Sequence, residues 1–190
     1  HNFHIVGPDV GMPVALHYAI HREHRAESLI IGDGPCVMPT ANGSIIDKAV
    51  NSPFWRTIFR IAGSGAFVEG AIRLAYVNYE PSNAEVVDYV ASYAGRIGPV
   101  TEWFRTYPQN LATIDPHLSH LDLPVQLFWG DLDQFLLLDT AYGANERLKR
   151  SRLKVFENCG HFPYQDRRDT FAQMVIDWVK GEYIEVKSTE

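Results

Sequence analysis

The stretch FHIVGPDVG, residues 3–11, joins a short apolar run to a tight turn. The run Phe3–Val6 is typical of a buried strand, and the apolar spacing over residues 10–23 predicts a helix directly after the turn. The turn Gly7–Gly11 holds Asp9 between two small residues, which allow the backbone to reverse sharply and expose the middle side chain. A carboxylate presented in this way is placed to attack a substrate and form an ester.

Two later stretches repeat this arrangement of an apolar run that ends near a polar side chain. LPVQLFWGDLD, residues 123–133, is ended by Gly130 and followed by Asp133. LKVFENCGHFP, residues 153–163, places His161 just beyond a glycine. Both apolar runs predict buried strands. Open sheets of parallel strands bind ligands at the carboxyl ends of their strands, so these side chains are expected to lie close together.

Three strand ends therefore carry a carboxylate, a second carboxylate and a histidine, in that order along the chain. This is the order of nucleophile, acid and histidine in one type of catalytic triad. Asp131 competes with Asp133 for the role of the acid. With a fourth apolar run at Leu29–Gly32, the sequence predicts four adjacent parallel strands.

The region between the second and third predicted strands is too long for a plain loop. It is rich in aromatic side chains and has helical periodicity over Trp55–Ala62, Ala66–Val77 and Ala84–Ala94. Ser82 or Asn83 is expected to cap the last of these helices. We therefore expect a helical cap that covers the strand ends.

The cap of residues 36–115 would interrupt a core that consists of residues 1–35 and 116–190. The first part of the core holds the turn with Asp9, and the second part holds the other two triad residues. Two further helices are expected to pack on the second part, at Asp139–Arg150 and Asp169–Lys180.

These motifs together resemble the α/β-hydrolases whose nucleophile is an aspartate, namely the epoxide hydrolases, the haloalkane dehalogenases and the fluoroacetate dehalogenases. The likeness runs from residue 3 to about residue 180 and includes GPVTEWFR, residues 98–105, which is similar to the end of an epoxide-hydrolase cap. The resemblance implies an α/β fold: the C-terminal portion of a parallel-sheet α/β-hydrolase fold with a helical cap insertion.

The resemblance also implies a hydrolase that acts through a covalent aspartyl ester. Asp9 would displace a leaving group from an electrophilic carbon, and His161 would then activate the water that hydrolyses the ester. Asp133 would orient His161 and stabilise its charged form. The backbone N–H of Val10 would be one oxyanion donor. No cofactor and no metal ion is expected.

The aromatic cap favours a small apolar substrate, and the predicted substrate-binding residues are Trp55, Trp103, Phe104, Tyr107 and Phe162. In epoxide hydrolases a cap tyrosine donates a proton to the epoxide oxygen, and Phe104 stands where that tyrosine would be. Tyr107 lies three residues further along the same helix face and is the favoured replacement. The alternatives are Tyr76, Tyr79, Tyr89 and Tyr93.

The residue that follows the nucleophile indicates which leaving group the site accepts. It is Val10 here, whereas haloalkane dehalogenases have Trp and fluoroacetate dehalogenases have Arg at this position. An aliphatic residue favours the epoxide-hydrolase interpretation. A haloalkane or haloacid dehalogenase and a non-catalytic ligand-binding protein of the same fold are the alternatives.

Composition excludes several other classes of protein. A net charge of −6 gives no basic footprint for nucleic acid, and no apolar run approaches the roughly 20 residues of a membrane span. The two cysteines, Cys36 and Cys159, indicate a reducing and therefore cytoplasmic compartment, although one disulfide stays open. The histidines at near-helical spacing are expected on a solvated helix face and not around a metal; they are His17, His21 and His24.

Family members carry about four further strands and an oxyanion loop before the residue that corresponds to Asp9. We therefore expect the N-terminal half of the same protein to be a partner that covers the apolar edge of the first strand. A homodimer is a second expected partner arrangement.

Overall fold

Four parallel strands form the sheet of the protein in a computed structural model, which describes residues 3–22, 25–37, 43–45, 48 and 52–187. The strands lie side by side in chain order, and every neighbouring pair is parallel. They are β1 (Phe3–Pro8), β2 (Ala26–Gly32), β3 (Val125–Gly130) and β4 (Ser151–Phe156). The four predicted strands and their parallel order are confirmed.

Helices connect the strands, as parallel pairing requires. They are α1 (Gly11–His21), α2 (Pro53–Ala75), α3 (Asn83–Tyr93), α4 (Ile97–Leu111), α5 (Asp139–Arg147), α6 (Pro163–Asp166) and α7 (Arg168–Val179), with 3₁₀ turns at Asp115–His120 and Glu182–Glu185. The short α6 and the two 3₁₀ turns are not predicted by the sequence pattern. The expected end of the first helix, Glu23, lies outside the described residues.

Two features of the cap helices follow directly from the sequence. The segments predicted around residues 55–77 form one helix with a kink at Gly63, whose φ of 77° lies in the left-handed region that glycine tolerates. Of the two candidate caps for α3, Ser82 is the one observed. Its hydroxyl accepts the N–H of Glu85, and the Glu85 carboxylate accepts the N–H of Ser82, which is a capping box.

The sheet lies between two apolar layers. In β2, Leu29 and Ile31 belong to the larger buried cluster, whereas Ile30 between them belongs to the smaller one. This alternation arises because successive side chains of a strand point to opposite faces of the sheet. Every residue of β3 is buried, as is usual for a parallel strand covered on both faces.

The first strand forms an edge of the described sheet. Phe3 is 41% exposed and Val6 is 49% exposed, so the apolar edge expected from the sequence is present. The neighbouring face of α1 is also apolar and exposed at Val14. Within the described ranges, no helix combines the length and hydropathy that a membrane span needs.

Gly130→Ala is expected to destabilise the protein. A methyl group at this position would lie 1.9 Å from the carbonyl oxygen of Gly160, so the end of β3 and the loop that carries His161 would have to separate. Overpacking of this kind lowers the free energy of unfolding by about 2 kcal/mol, which chemical denaturation measures. The control is Gly65→Ala in α2, where nothing lies within 4 Å of the added methyl group. A Gly130→Ala variant as stable as the wild type would contradict the close approach.

Candidate active site

The turn between β1 and α1 presents Asp9 in a strained backbone conformation. Its φ is 49°, in the left-handed region, and its N–H donates to the carbonyl of Gly32 at 3.0 Å. A Cβ on Gly7 would lie 2.6 Å from the carbonyl oxygen of Gly11, so the two ends of the turn are in close contact. The turn therefore needs a small residue at Gly7, and it leaves the Asp9 side chain 38% exposed.

His161 lies between two carboxylates. Its Nδ1 is 2.8 Å from Oδ2 of Asp133, and its Nε2 is 3.6 Å from Oδ1 of Asp9. The structure thus brings together the three residues that the sequence nominates as a triad. Asp131, the competing acid, accepts the N–H of Cys159 at 3.0 Å and fixes the histidine loop instead.

Asp133 is held as a carboxylate by three hydrogen bonds. Besides His161, the N–H groups of Phe135 and Leu136 donate to its Oδ1 at 2.8 and 3.1 Å. Its side chain is 0% exposed, so these donors replace water around the charge. The same contacts fix the carboxylate behind the imidazole and orient that ring.

Opposing effects act on the charge of His161. Burial disfavours the imidazolium, but the Asp133 carboxylate and then Asp9 outweigh burial and raise the pKa of His161 well above its ordinary value. The two neighbouring carboxylates therefore favour the protonated ring. Removal of the charge on Asp9 would remove part of the effect that raises this pKa.

A second buried carboxylate, Asp166, fastens the histidine loop to the cap. It accepts the backbone N–H groups of Val77, Asn78 and Tyr79 at 2.7–3.2 Å and that of Gly160 at 2.8 Å. The first three N–H groups follow directly after α2, and the fourth precedes His161. The N–H of His161 also donates to the carbonyl of Ala75 at 2.7 Å, which strengthens the same junction.

A third acid, Asp33, lies next to the triad and was missed by sequence reasoning. It follows β2 directly and is fully buried, and its Oδ1 accepts the N–H of Gly130 at 3.0 Å. The signal was present in the sequence, since Gly32-Asp33-Gly34 follows a predicted strand just as the other site residues follow theirs. The fourth strand end therefore contributes a polar residue as well.

The charge of Asp9 affects the pKa values of two tyrosines. Burial and then the Asp9 carboxylate raise the pKa values of Tyr93, at the end of α3, and Tyr164, in α6. Tyr93 is one of the alternatives named from the sequence, whereas Tyr164 is not. Both phenols are therefore neutral, and available as hydrogen-bond donors, at neutral pH.

The predicted substrate-binding residues fall into different environments. Phe162 contacts the His161 ring, with centroids 4.6 Å apart, and Trp55 lies at the end of an aromatic row in the cap. Trp103 stacks on Tyr107 at 4.7 Å. Phe104 and Tyr107 are buried in the main core cluster, so their role in substrate binding stays a prediction.

The backbone N–H of Val10 forms no hydrogen bond with another described residue, and the residue is 47% exposed beside Asp9. This is the environment that an oxyanion donor requires.

The two cysteines are buried and not joined to each other, and burial raises the pKa of each thiol to about 12. Cys159 is therefore a neutral thiol beside the triad. His24, one of the three histidines at helical spacing, lies outside the described residues.

The parallel sheet, the strand-end triad and the helical insertion define an α/β-hydrolase fold. Proteins with similar sequences include hydrolases. The chain is 22% identical over 184 residues to a 2-hydroxy-6-oxononadienedioate/2-hydroxy-6-oxononatrienedioate hydrolase of Pseudomonas putida, covering 93% of this chain and 62% of that protein. The chain thus spans about three fifths of the length of this relative. No protein-family model matches it.

Solved structures show the same fold. A 2-hydroxy-6-oxo-6-phenylhexa-2,4-dienoate hydrolase from Rhodococcus sp. strain RHA1 superposes with a TM-score of 0.75 at 19% identity, over 93% of this chain and 63% of that one. An α/β-hydrolase enzyme from a Medee basin deep-sea metagenome library superposes with a TM-score of 0.65 at 14% identity, over 98% and 66%. The Asp-nucleophile subfamily suggested by the sequence is not among these names.

Asp166→Ala is expected to destabilise the protein by about 3 kcal/mol, because it removes the acceptor of one buried N–H, that of Gly160, and of three partly buried ones in the segment after α2. Amide exchange should accelerate most at Val77, Asn78 and Tyr79, whose N–H groups the carboxylate holds. The matched control is Asp169→Ala, three residues further on, where the carboxylate is 95% exposed. Similar stabilities for the two variants would contradict a structural role for Asp166.

Proposed function

We propose that this chain carries the reactive centre of a hydrolase that attacks an electrophilic carbon through Asp9 and forms a covalent aspartyl ester. The observation that carries the proposal is the position of Asp9 on the strand-to-helix turn, 3.6 Å from His161, which Asp133 holds from behind. A carboxylate displaces leaving groups from tetrahedral carbon and yields a stable ester. An epoxide hydrolase-like reaction on a small apolar substrate fits this site best.

In the first half-reaction, an oxygen of Asp9 would form a bond to the epoxide carbon while the carbon–oxygen bond of the ring breaks. The electron pair of that bond passes to the ring oxygen, which accepts a hydrogen bond as it becomes an alkoxide and then takes a proton from solvent to form a hydroxyl group. Tyr93 and Tyr164 are the proposed donors, because both are neutral phenols whose pKa values respond to the Asp9 charge. This assignment replaces Tyr107 as the first choice.

In the second half-reaction, ester formation itself would prepare the base. The ester has no charge at Asp9, so part of the effect that raises the pKa of His161 is lost and the ring releases its proton to solvent. Nε2 of His161 can then take a proton from water, and the hydroxide attacks the ester carbonyl. The Val10 N–H would stabilise the oxyanion before collapse releases the Asp9 carboxylate and the alcohol.

An oxyanion hole uses more than one donor, and Val10 supplies only one by position. We propose that residues from the N-terminal half of the same protein provide the second donor and cover the apolar edge of β1. Activity measurements therefore use the complete protein that contains this chain.

Isotope labelling tests the covalent step. A single turnover in ¹⁸O-labelled water should place the label in the Asp9 carboxylate, because water attacks the ester carbonyl and not the substrate carbon. His161→Gln should let the ester accumulate, visible as an added substrate mass on the peptide that contains Asp9, since the first step needs no base. The control is His120→Gln, at an exposed position. Label found only in the product would exclude the aspartyl ester.

Tyrosine variants test the ring-opening step. Tyr93→Phe and Tyr164→Phe should each lower the rate of ester formation by about two to three powers of ten, the loss observed for one oxyanion donor. Tyr107→Phe tests the donor favoured by the sequence, and Tyr142→Phe, at a position 48% exposed on α5, is the control. Unchanged ester formation in both proposed variants would assign the donor elsewhere.

A second candidate function comes from the relatives. The match to the Pseudomonas putida hydrolase covers 93% of the chain, so a 2-hydroxy-6-oxo compound like those in the name of that protein is an alternative substrate. Turnover of such a compound, with no label at Asp9 after one cycle, would favour this candidate. Halide release from a haloalkane or haloacid would favour a dehalogenase. Binding of these compounds without turnover would favour the non-catalytic interpretation.

A further inference from the structure

Asp33 has one oxygen that the protein satisfies and one that it does not. Oδ1 accepts the N–H of Gly130 at 3.0 Å, whereas Oδ2 is buried and has no hydrogen-bond partner among the residues that the structure describes. The residue also has a φ of 46°, in the left-handed region, directly after β2. An ionised carboxylate would leave one oxygen of a buried charge unsatisfied, which is costly.

Asp33 faces a second acid at short range. One oxygen of Asp33, one oxygen of Asp133 and one ring nitrogen of His161 all lie within 4.8 Å of one another. Two buried carboxylates at this separation repel each other, so one of them takes a proton and the other stays charged.

The hydrogen bonds decide which acid keeps the charge. Asp133 accepts three hydrogen bonds, from the backbone at Phe135 and Leu136 and from His161, whereas Asp33 accepts one. Hydrogen bonds to a carboxylate favour its charged form. Burial and then the charge of Asp133 raise the pKa of Asp33 well above its ordinary value, and His161 and the Gly130 N–H offset this only in part.

We propose that Asp33 is a positioning residue that stays protonated at neutral pH and leaves Asp133 as the single charged acid behind His161. The titratable side chains that interact with Asp33 come from the ends of the other strands and from α6. They are Asp9, Asp133, Cys159, His161 and Tyr164. The neutral acid limits the negative charge that the imidazole faces. The proton assignment stands by itself, whereas its consequence for catalysis rests on the proposed function.

Infrared spectroscopy tests the protonation state directly. With ¹³C-labelled aspartate, the wild-type protein at neutral pH should have a carboxylic-acid C=O band that Asp33→Asn lacks and that the control, Asp131→Asn, retains. Asp131 is a good match because it also caps a strand-end loop, through the Cys159 N–H, whereas the His161 ring nitrogen Nδ1 pairs with Asp133. Absence of the band in the wild type, or its survival in Asp33→Asn, would overturn the proposal.

The titration of His161, followed by NMR, gives a second readout. Asn matches a protonated Asp in shape and charge, so Asp33→Asn should shift the pKa of His161 by well under about one unit. If Asp33 were ionised, the variant would remove a nearby charge and lower the pKa of His161 by about one to three units. That larger fall would overturn the proposal even if both variants fold normally.

The pH dependence of stability has a defined sign. A buried acid with a raised folded-state pKa destabilises the fold once the unfolded chain can ionise it, above its ordinary pKa of 3.8. The denaturation midpoint of Asp33→Asn should therefore increase relative to that of the wild type as the pH rises from acid to neutral. The midpoint of Asp131→Asn should not increase in this way. An equal pH dependence in all three proteins would contradict the proposal. None of these measurements uses turnover, so failure of the aspartyl-ester mechanism would be seen separately.

Discussion

The carboxylate of Asp166 is the interaction on which the geometry of the site depends. It accepts N–H groups from the segment after α2 and from Gly160, so one charge joins the cap to the histidine loop. The histidine loop and the end of α2 are in close contact at this junction, because a Cβ on Gly160 would lie 2.1 Å from the carbonyl oxygen of Ala75. The position of His161 relative to the sheet is therefore set by a junction between two separate parts of the chain.

The electrostatics of the site follow from how many charges it holds. Three acids, Asp9, Asp33 and Asp133, surround one histidine, and each lies in a different environment. Asp133 is enclosed by hydrogen-bond donors, Asp9 is open to substrate, and Asp33 is proposed to hold a proton. Under this assignment the charge on Asp9 is the one that the reaction changes, which couples the first chemical step to the basicity of His161.

Much of the fold could be predicted from the sequence because its signals are local. Apolar runs ended by glycine located the strands, and the residues just after them converge since parallel strands end at one edge of the sheet. Asp33 and Asp166 were harder to recognise because their roles arise from contacts with distant segments: Asp33 with Gly130, and Asp166 with the chain after α2. Tyr164 was missed for a different reason, because α6 has only four residues and is too short to show helical periodicity.

The left-handed residues have a consequence for how such a site can change during evolution. Asp9, Asp33 and Asn158, each found just after a strand, have φ values of 49°, 46° and 50°. Asp and Asn tolerate this conformation better than other side chains, and glycine adopts it without strain. A lineage selected for stability alone would be expected to drift towards glycine at these positions. A lineage that keeps Asp9 and Asp33 retains both the backbone strain and the reactive groups. A single substitution of either by glycine can therefore make a descendant more stable and less active.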